Sequence, residues 1–298
     1  MFYYIPSAVS AALSIQVITY QVPVGWLIRN IHYWAGQFLL VVSIIHLIRV
    51  VFTGAYSATR RFNYLLGLGL FALLVLMDFS GYVLRWDTGV KWALAASTNL
   101  IKSIPLIGDG LTNFITGGAE PGTSVLVHFF AWHIYGLMTL ALILMVWHVF
   151  RVRRDGGIAS PPRELNSEQE RINRFELVRR EVLAMIFSMA VLILVSIFFP
   201  APIAPAMTEY SSLSASDRAP WFLLWVQQML KWGNPFFWGV FSPLILLTLT
   251  AIIPYTLPEP DASEIGRWFP KSNRLAQIAL GIIIFWFVLL TIIFLLSS

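Results

Sequence analysis

Residues 25–49 read GWLIRNIHYWAGQFLLVVSIIHLIR and residues 131–151 read AWHIYGLMTLALILMVWHVFR. Each run is apolar and long enough to cross a bilayer. Each carries two histidines: His32 and His46 are fourteen residues apart, His133 and His148 fifteen. At a helical rise of about 1.5 Å and a turn of about 100° per residue, the members of each pair stand roughly 21 Å apart and face nearly the same way. Four imidazoles therefore fall in two layers, near opposite faces of one membrane.

The composition agrees: 58% of residues are hydrophobic and 12% charged, with a mean hydropathy of +0.74. Spans are expected near residues 30–53, 63–85, 126–151, 181–200, 236–256 and 275–297, giving an all-α, polytopic bundle of six crossings. The apolar stretch 221–232 is too short to cross, and residues 7–20 read as a surface helix with one apolar face. Fourteen of the twenty Lys and Arg follow the first, third and fifth spans. Basic residues stay cytoplasmic, so both termini are expected on the outer side of a bacterial inner membrane. The net charge of +5 is accounted for by this topology and carries no nucleic-acid inference. No cysteine is present, so disulfides, thiolate ligands and thioether attachment are excluded. No cleavable signal sequence is read at the start.

Spans one and three run parallel, so His32 meets His133 near the outer face and His46 meets His148 near the inner one. Two axial imidazoles are a standard way to hold haem iron. A lone histidine in a membrane more often hydrogen-bonds to another helix, but four at matched spacings on parallel helices favour two non-covalent b-type haems. Zinc is disfavoured, because the layers are too far apart to share an ion. Arg29 and Arg49 stand at opposite ends of span one, placed for haem propionates or for ordinary snorkelling at the interface. Gly67 and Gly81, again fourteen apart, would let a porphyrin approach span two in each layer.

These residues resemble the cytochrome b subunit of the quinol–cytochrome c reductase family, which includes the cytochrome bc and plastid-type complexes. The likeness rests on Gly25 to His32, on His46-Leu47-Ile48-Arg49, on Gly81-Tyr82-Val83-Leu84-Arg85-Trp86-Asp87, on Ile104-Pro105-Leu106-Ile107-Gly108 and on the fifteen-residue step to His148. That step resembles the plastid type. The resemblance implies a low-potential outer haem on His32 and His133, and a high-potential inner haem on His46 and His148. It divides the chain into a dihaem part (1–152), a charged cytoplasmic connector (153–180) and a C-terminal part (181–298), with a quinone-pocket segment at 217–232. In plastid-type complexes the last part is a separate subunit; here the two look fused.

Four departures bear on function. The family has a further helix before the segment matching Tyr3-Tyr4-Ile5-Pro6, a side that a different start or another subunit would supply. The family's Pro-Glu-Trp-Tyr motif, whose glutamate takes a quinol proton, reads Ala219-Pro220-Trp221-Phe222 here. Quinol oxidation needs a proton acceptor within hydrogen-bond reach; Asp78, Asp87 and His128 are the candidates. Asp78 is read either as functional, as ionisable groups inside spans usually are, or as a structural partner of Arg85. His128 stands where the family has an arginine that helps hold the outer haem's charge, and it titrates where arginine would not; a partly solvated interfacial role is the plainer reading. Arg85 replaces the proline of Leu-Pro-Trp and adds a cation beside an outer quinone pocket assigned to Asp78, Tyr82 and Trp221.

The leading reading is a membrane subunit carrying electrons between quinone and an outer partner, within a multisubunit and dimeric complex. Its partners would be a Rieske iron–sulfur protein and a c-type cytochrome. The alternative is a haem-wire anchor for another outer redox module, a multihaem cytochrome or a molybdenum enzyme, using only an inner quinone site. A haem-binding structural or sensory subunit is the third.

Overall fold

The computed structural model describes residues 2–118, 122–157, 159, 173–207 and 218–297. Arg163 and Arg171 of the connector lie outside them. Among the described residues the chain is helical, and six segments are long and apolar enough to cross a membrane: Gly25–Phe52, Ala58–Val83, Thr123–Arg154, Arg174–Phe198, Phe236–Thr256 and Lys271–Leu296. These are the six spans expected from the sequence. In chain order the helices are α1 (Ala11–Tyr20), α2 (Gly25–Phe52), α3 (Arg61–Val83), α4 (Thr88–Lys102), α5 (Gly108–Thr116), α6 (Thr123–Ala131), α7 (Leu137–Arg154), α8 (Arg174–Phe198), α9 (Leu224–Leu230), α10 (Ser242–Thr256) and α11 (Arg274–Leu296). A π-helical turn, Trp132–Gly136, joins α6 to α7 within the third crossing, and another, Phe236–Phe241, opens the fifth.

The fourth crossing begins at Arg174, earlier than its apolar run, so residues 174–180 are helix rather than connector. Local chemistry explains the difference. Asn173 caps the helix by accepting from the Phe175 N–H at 3.2 Å, and Glu176 in the first turn pairs with Arg179 and Arg180 at 2.9 Å each. A cap, an acid at the positive end of the helix dipole and pairs at i+3 and i+4 extend a helix into charged sequence.

Apolar packing is concentrated at the two ends of the bundle. At one end Ala11 of α1, Val83 and Leu84 at the close of α3, Val90 and Leu94 of α4 and Leu126 and Phe129 of α6 enclose Trp86. Trp86 adopts φ 49° and is 2% exposed. This left-handed backbone is unfavourable for an aromatic residue and persists where surroundings hold it. Segment 205–207 runs alongside, with the Thr88 N–H donating to Pro205 and the Met207 N–H to Trp86. At the other end Val51, Tyr56, Tyr64, Ile253, Ala276 and Leu280 form a second cluster. Between them α2, α3 and α7 face one another across the histidines.

Polar side chains fasten the C-terminal helices to α2. The last carbonyls of a helix lack intrahelical partners, and at the end of α8 the start of α2 supplies donors. Asn30 donates to Ser196 at 2.9 Å, Trp34 to Phe199 at 2.6 Å, and Arg29 to Ala201 at 3.0 Å and Pro202 at 2.6 Å. At the opposite end buried Asn273 donates to the Val51 carbonyl at 2.7 Å and accepts from the Tyr56 hydroxyl at 2.7 Å. Burial pushes that hydroxyl's pKa up to about 12, so it remains a donor at neutral pH. Asn273→Ala is expected to strand both partners and to lower stability by about 1–3 kcal/mol, read as a lower thermal midpoint in detergent. An unchanged midpoint would remove Asn273 from the docking account.

Candidate functional site

His32 and His133 face each other with ring centroids 6.1 Å apart and planes at 88°; His46 and His148 do so at 6.5 Å and 82°. A metal with two axial imidazole nitrogens at about 2 Å each would separate ring centroids by roughly 6–6.5 Å. Both pairs therefore have the spacing of opposed ligands on one ion. Among the described residues, no group of three or more His, Cys, Asp and Glu gathers as a protein-only metal cage. Two ligands per layer suit an ion whose other positions a macrocycle fills.

The unequal spacings, fourteen and fifteen, are reconciled by the π turn Trp132–Gly136, which contains His133. A π turn inserts one residue into an α-helix, so fifteen residues with it keep the phase of fourteen without it. Gly136 makes the turn possible, since a Cβ there would come within 2.6 Å of the Trp132 ring.

Span two presents the same wall to both layers. A Cβ on Gly81 would lie 2.9 Å from His133 Cε1, and one on Gly67 would lie 3.1 Å from His148 Cε1. His133 Nδ1 lies 3.1 Å from the Met77 carbonyl and 3.0 Å from the Ser80 hydroxyl. Donation from Nδ1 to the carbonyl leaves the Nε2 lone pair for a metal, the usual arrangement behind an imidazole ligand. His148 faces Asn63, one fourteen-residue step earlier, but its Nδ1 has no partner of ordinary geometry. Where the first layer has Ser80, the second has Leu66.

The second layer opens on a cavity of about 360 Å³ lined by His46, His148, Arg49, Arg60, Asn63 and Gly67 among others. That is within the range of cofactor pockets, about 300–1,000 Å³. Arg60 Nε on its wall is a buried donor without a partner, which a ligand carboxylate would satisfy, while His46 and His148 face one another for a metal. The residues present fit a haem. At the first layer Arg29 lines a cavity of about 10 Å³, the size of one water, together with Arg85 and Asp87. Its guanidinium, expected to face a propionate, donates to the Ala201 and Pro202 carbonyls.

The residues assigned to an outer pocket are placed as follows. Arg85 pairs with Asp87, through Nε at 2.8 Å and through Nη2, so the extra cation is matched by its own neighbour and is not the partner of Asp78. Asp78 instead accepts from Gln37. Tyr82 donates to the Gly89 carbonyl and lies beneath the Arg85 guanidinium. Trp221 donates to Gln37 at 2.6 Å. Hence Asp78 and Trp221 are linked through one amide, while Tyr82 is turned toward α4. His128 is bonded through Nδ1 to the Ser124 carbonyl at 2.9 Å and lies against Gly117. Sequence reasoning missed Gln37, Ser80 and Asn63; the fourteen-residue register of α3 could have pointed to the last two.

The family described as cytochrome b (N-terminal)/b6/petB matches residues 37–209. Cytochrome b6 of Cyanidium caldarium is 34% identical over 160 residues, 54% of this chain and 74% of that protein. Cytochrome b6 of Acaryochloris marina is 33% identical over the same shares. Among solved structures, a chain titled hyperthermophilic respiratory Complex III superposes with a TM-score of 0.74 at 20% identity, covering 99% of this chain and 86% of that one. That last likeness is one of fold.

Deleting Ile134 from the π turn is expected to leave a regular helix with both histidine pairs intact, since the step to His148 becomes fourteen. The purified variant should keep the wild-type low-spin spectrum and haem content. Loss of one haem would show that the turn does more than set phase.

Proposed function

As a member of the cytochrome b (N-terminal)/b6/petB family, the chain is an integral membrane cytochrome b of electron transport, and we propose that it holds two b haems and carries electrons between quinol and an outer redox partner. The observation that carries this reading is the doubled pair of opposed imidazoles, 6.1 and 6.5 Å between centroids, each set against a glycine of α3. His32 and His133 would ligate the outer iron, His46 and His148 the inner one. The positive-inside distribution supports this orientation, with both termini outside. The partners are a Rieske iron–sulfur protein and a c-type cytochrome, in a multisubunit, dimeric complex. Residues 1–152 act as the dihaem part and 181–298 as the part that brings Trp221 to the outer pocket.

Haem iron in each layer supplies reversible one-electron transfer. The chain's residues determine how the layers differ. The Met77 carbonyl and Ser80 hydroxyl at His133 Nδ1 would strengthen that ring as an electron donor to iron, which favours the oxidised state. In the second layer Leu66 replaces the hydroxyl, and Arg49 and Arg60 line the cavity; nearby cations favour the reduced state. Both differences support a lower potential outside and a higher one inside.

The test is quinol-driven haem reduction in the purified complex, with blockers of the outer and inner sites. Reduction through either site, abolished only when both are blocked, is expected. Loss with an inner-site blocker alone would favour the haem-wire anchor instead. Arg49→Gln is expected to lower the inner haem's midpoint by roughly 60 mV, about a tenfold change for a one-electron couple, and to leave the outer haem in place. A shift confined to the outer haem would reverse the assignment of layers.

A further inference from the structure

Gln37 lies on α2, five residues beyond His32, and joins two segments far apart in sequence. Trp221 Nε1 donates to Gln37 Oε1 at 2.6 Å, and Gln37 Nε2 stands 3.2 Å from both carboxylate oxygens of Asp78. An indole N–H only donates and a carboxylate only accepts. The two neighbours therefore fix the amide one way round, with its carbonyl toward Trp221 and its amino group toward Asp78, so the assignment rests on chemistry rather than on placement of indistinguishable atoms.

Asp78 is half-buried inside a span, where an ionisable group is costly and tends to be functional. Room for it comes from Gly36, where a Cβ would approach Oδ1 to 3.0 Å. The cation one might expect beside it, Arg85, is bound to Asp87. Tyr33 on α2 lies within electrostatic reach of Asp78, Arg29 and Arg85. One amide donor leaves most of a carboxylate's acceptor sites open. Meanwhile Ala219-Pro220-Trp221-Phe222 carries no acid of its own, yet its indole is connected through one side chain to the acid on α3.

We propose that Asp78 accepts the proton of a quinol hydroxyl at the outer site, and that Gln37, oriented by Trp221, is the positioning residue that aims its carboxylate. The proposal rests on the functional reading above. In this step the quinol O–H bond breaks, its proton forms a new bond to an Asp78 oxygen, and the bonding pair stays on the quinol oxygen as quinolate. The aspartate becomes a neutral acid, and no electron moves. Because Trp221 belongs to the C-terminal part and Gln37 and Asp78 to the first three crossings, the acceptor is correctly aimed only when the two parts are docked.

The experiment compares wild type with Asp78→Asn, Asp78→Glu and Gln37→Met in the intact complex, each checked for unchanged haem spectrum and content. Reduction by a soluble quinol is followed with the inner site blocked. Asp78→Asn should lower kcat about 100-fold, the usual contribution of a general base, with KM within about threefold. Asp78→Glu should recover much of the rate, and Gln37→Met should fall about 10-fold in kcat, a loss of aim rather than of the acceptor. In infrared difference spectra, quinol addition should produce a protonated-carboxyl band that is absent in Asp78→Asn and displaced in Gln37→Met, a signature that a purely structural role would not move. An Asp78→Asn complex with wild-type kcat, or a wild-type spectrum without that band, overturns this proposal while leaving the functional reading intact. Failure of wild type to reduce its haems with the inner site blocked overturns both. Should Asp78→Asn fail to assemble, the wild-type infrared band alone decides.

Discussion

The close approach of α3 to two imidazole rings is the constraint on which the arrangement depends. Gly67 and Gly81 place bare backbone where any side chain would press into His148 and His133 at about the contact limit. With α3 that near, the Met77 carbonyl reaches His133 Nδ1 and leaves Nε2 as the ring nitrogen open to a metal, 6.1 Å separating this ring's centroid from that of His32. The relative depth of the first and third crossings then follows, because both pairs must align at once. Two apolar clusters near the ends of the bundle hold the helices together, and the second pair of imidazoles stands beside a cavity of about 360 Å³. A uniformly packed core would be more stable and would leave no room for a cofactor; dividing the packing between the ends gives up some burial for a site.

What was legible in the sequence was whatever depends on local period. Six apolar runs and two histidine spacings could be read because hydropathy and helical phase are properties of neighbouring residues. The helix ends were less legible. Arg174 to Arg180 looked like connector, since charge marks loops, yet one cap and two short ion pairs make them helix. The π turn was also hidden. Fifteen residues between His133 and His148 look like a mismatch with fourteen until the extra residue is seen to be absorbed at Trp132–Gly136.

Contacts between distant segments were out of reach for another reason. Arg29 and Asn30 bind carbonyls some 170 positions away, and no period in either segment encodes that meeting. The same holds for Gln37, which reads as one more polar residue on an amphipathic face until Trp221 and Asp78 arrive on either side of it. Arg85 and Asp87 are the opposite case: two residues apart, they could have been paired from sequence, and the pairing removes the cation otherwise expected to neutralise Asp78.

The fourteen-residue register of α3 repeats the surroundings of one imidazole at the other. Met77, Ser80 and Gly81 stand to His133 as Asn63, Leu66 and Gly67 stand to His148, so one helical face serves two layers on the same backbone. Only the polar neighbours differ. A repeated scaffold with equal neighbours would give two sites of equal potential and no preferred direction across the membrane. Replacing Ser80 by Leu66, and setting Arg49 and Arg60 on the second cavity alone, breaks that equivalence with side chains that leave the helix geometry untouched. Direction can thus be tuned residue by residue while the spacing of the ligands stays fixed by glycine and phase.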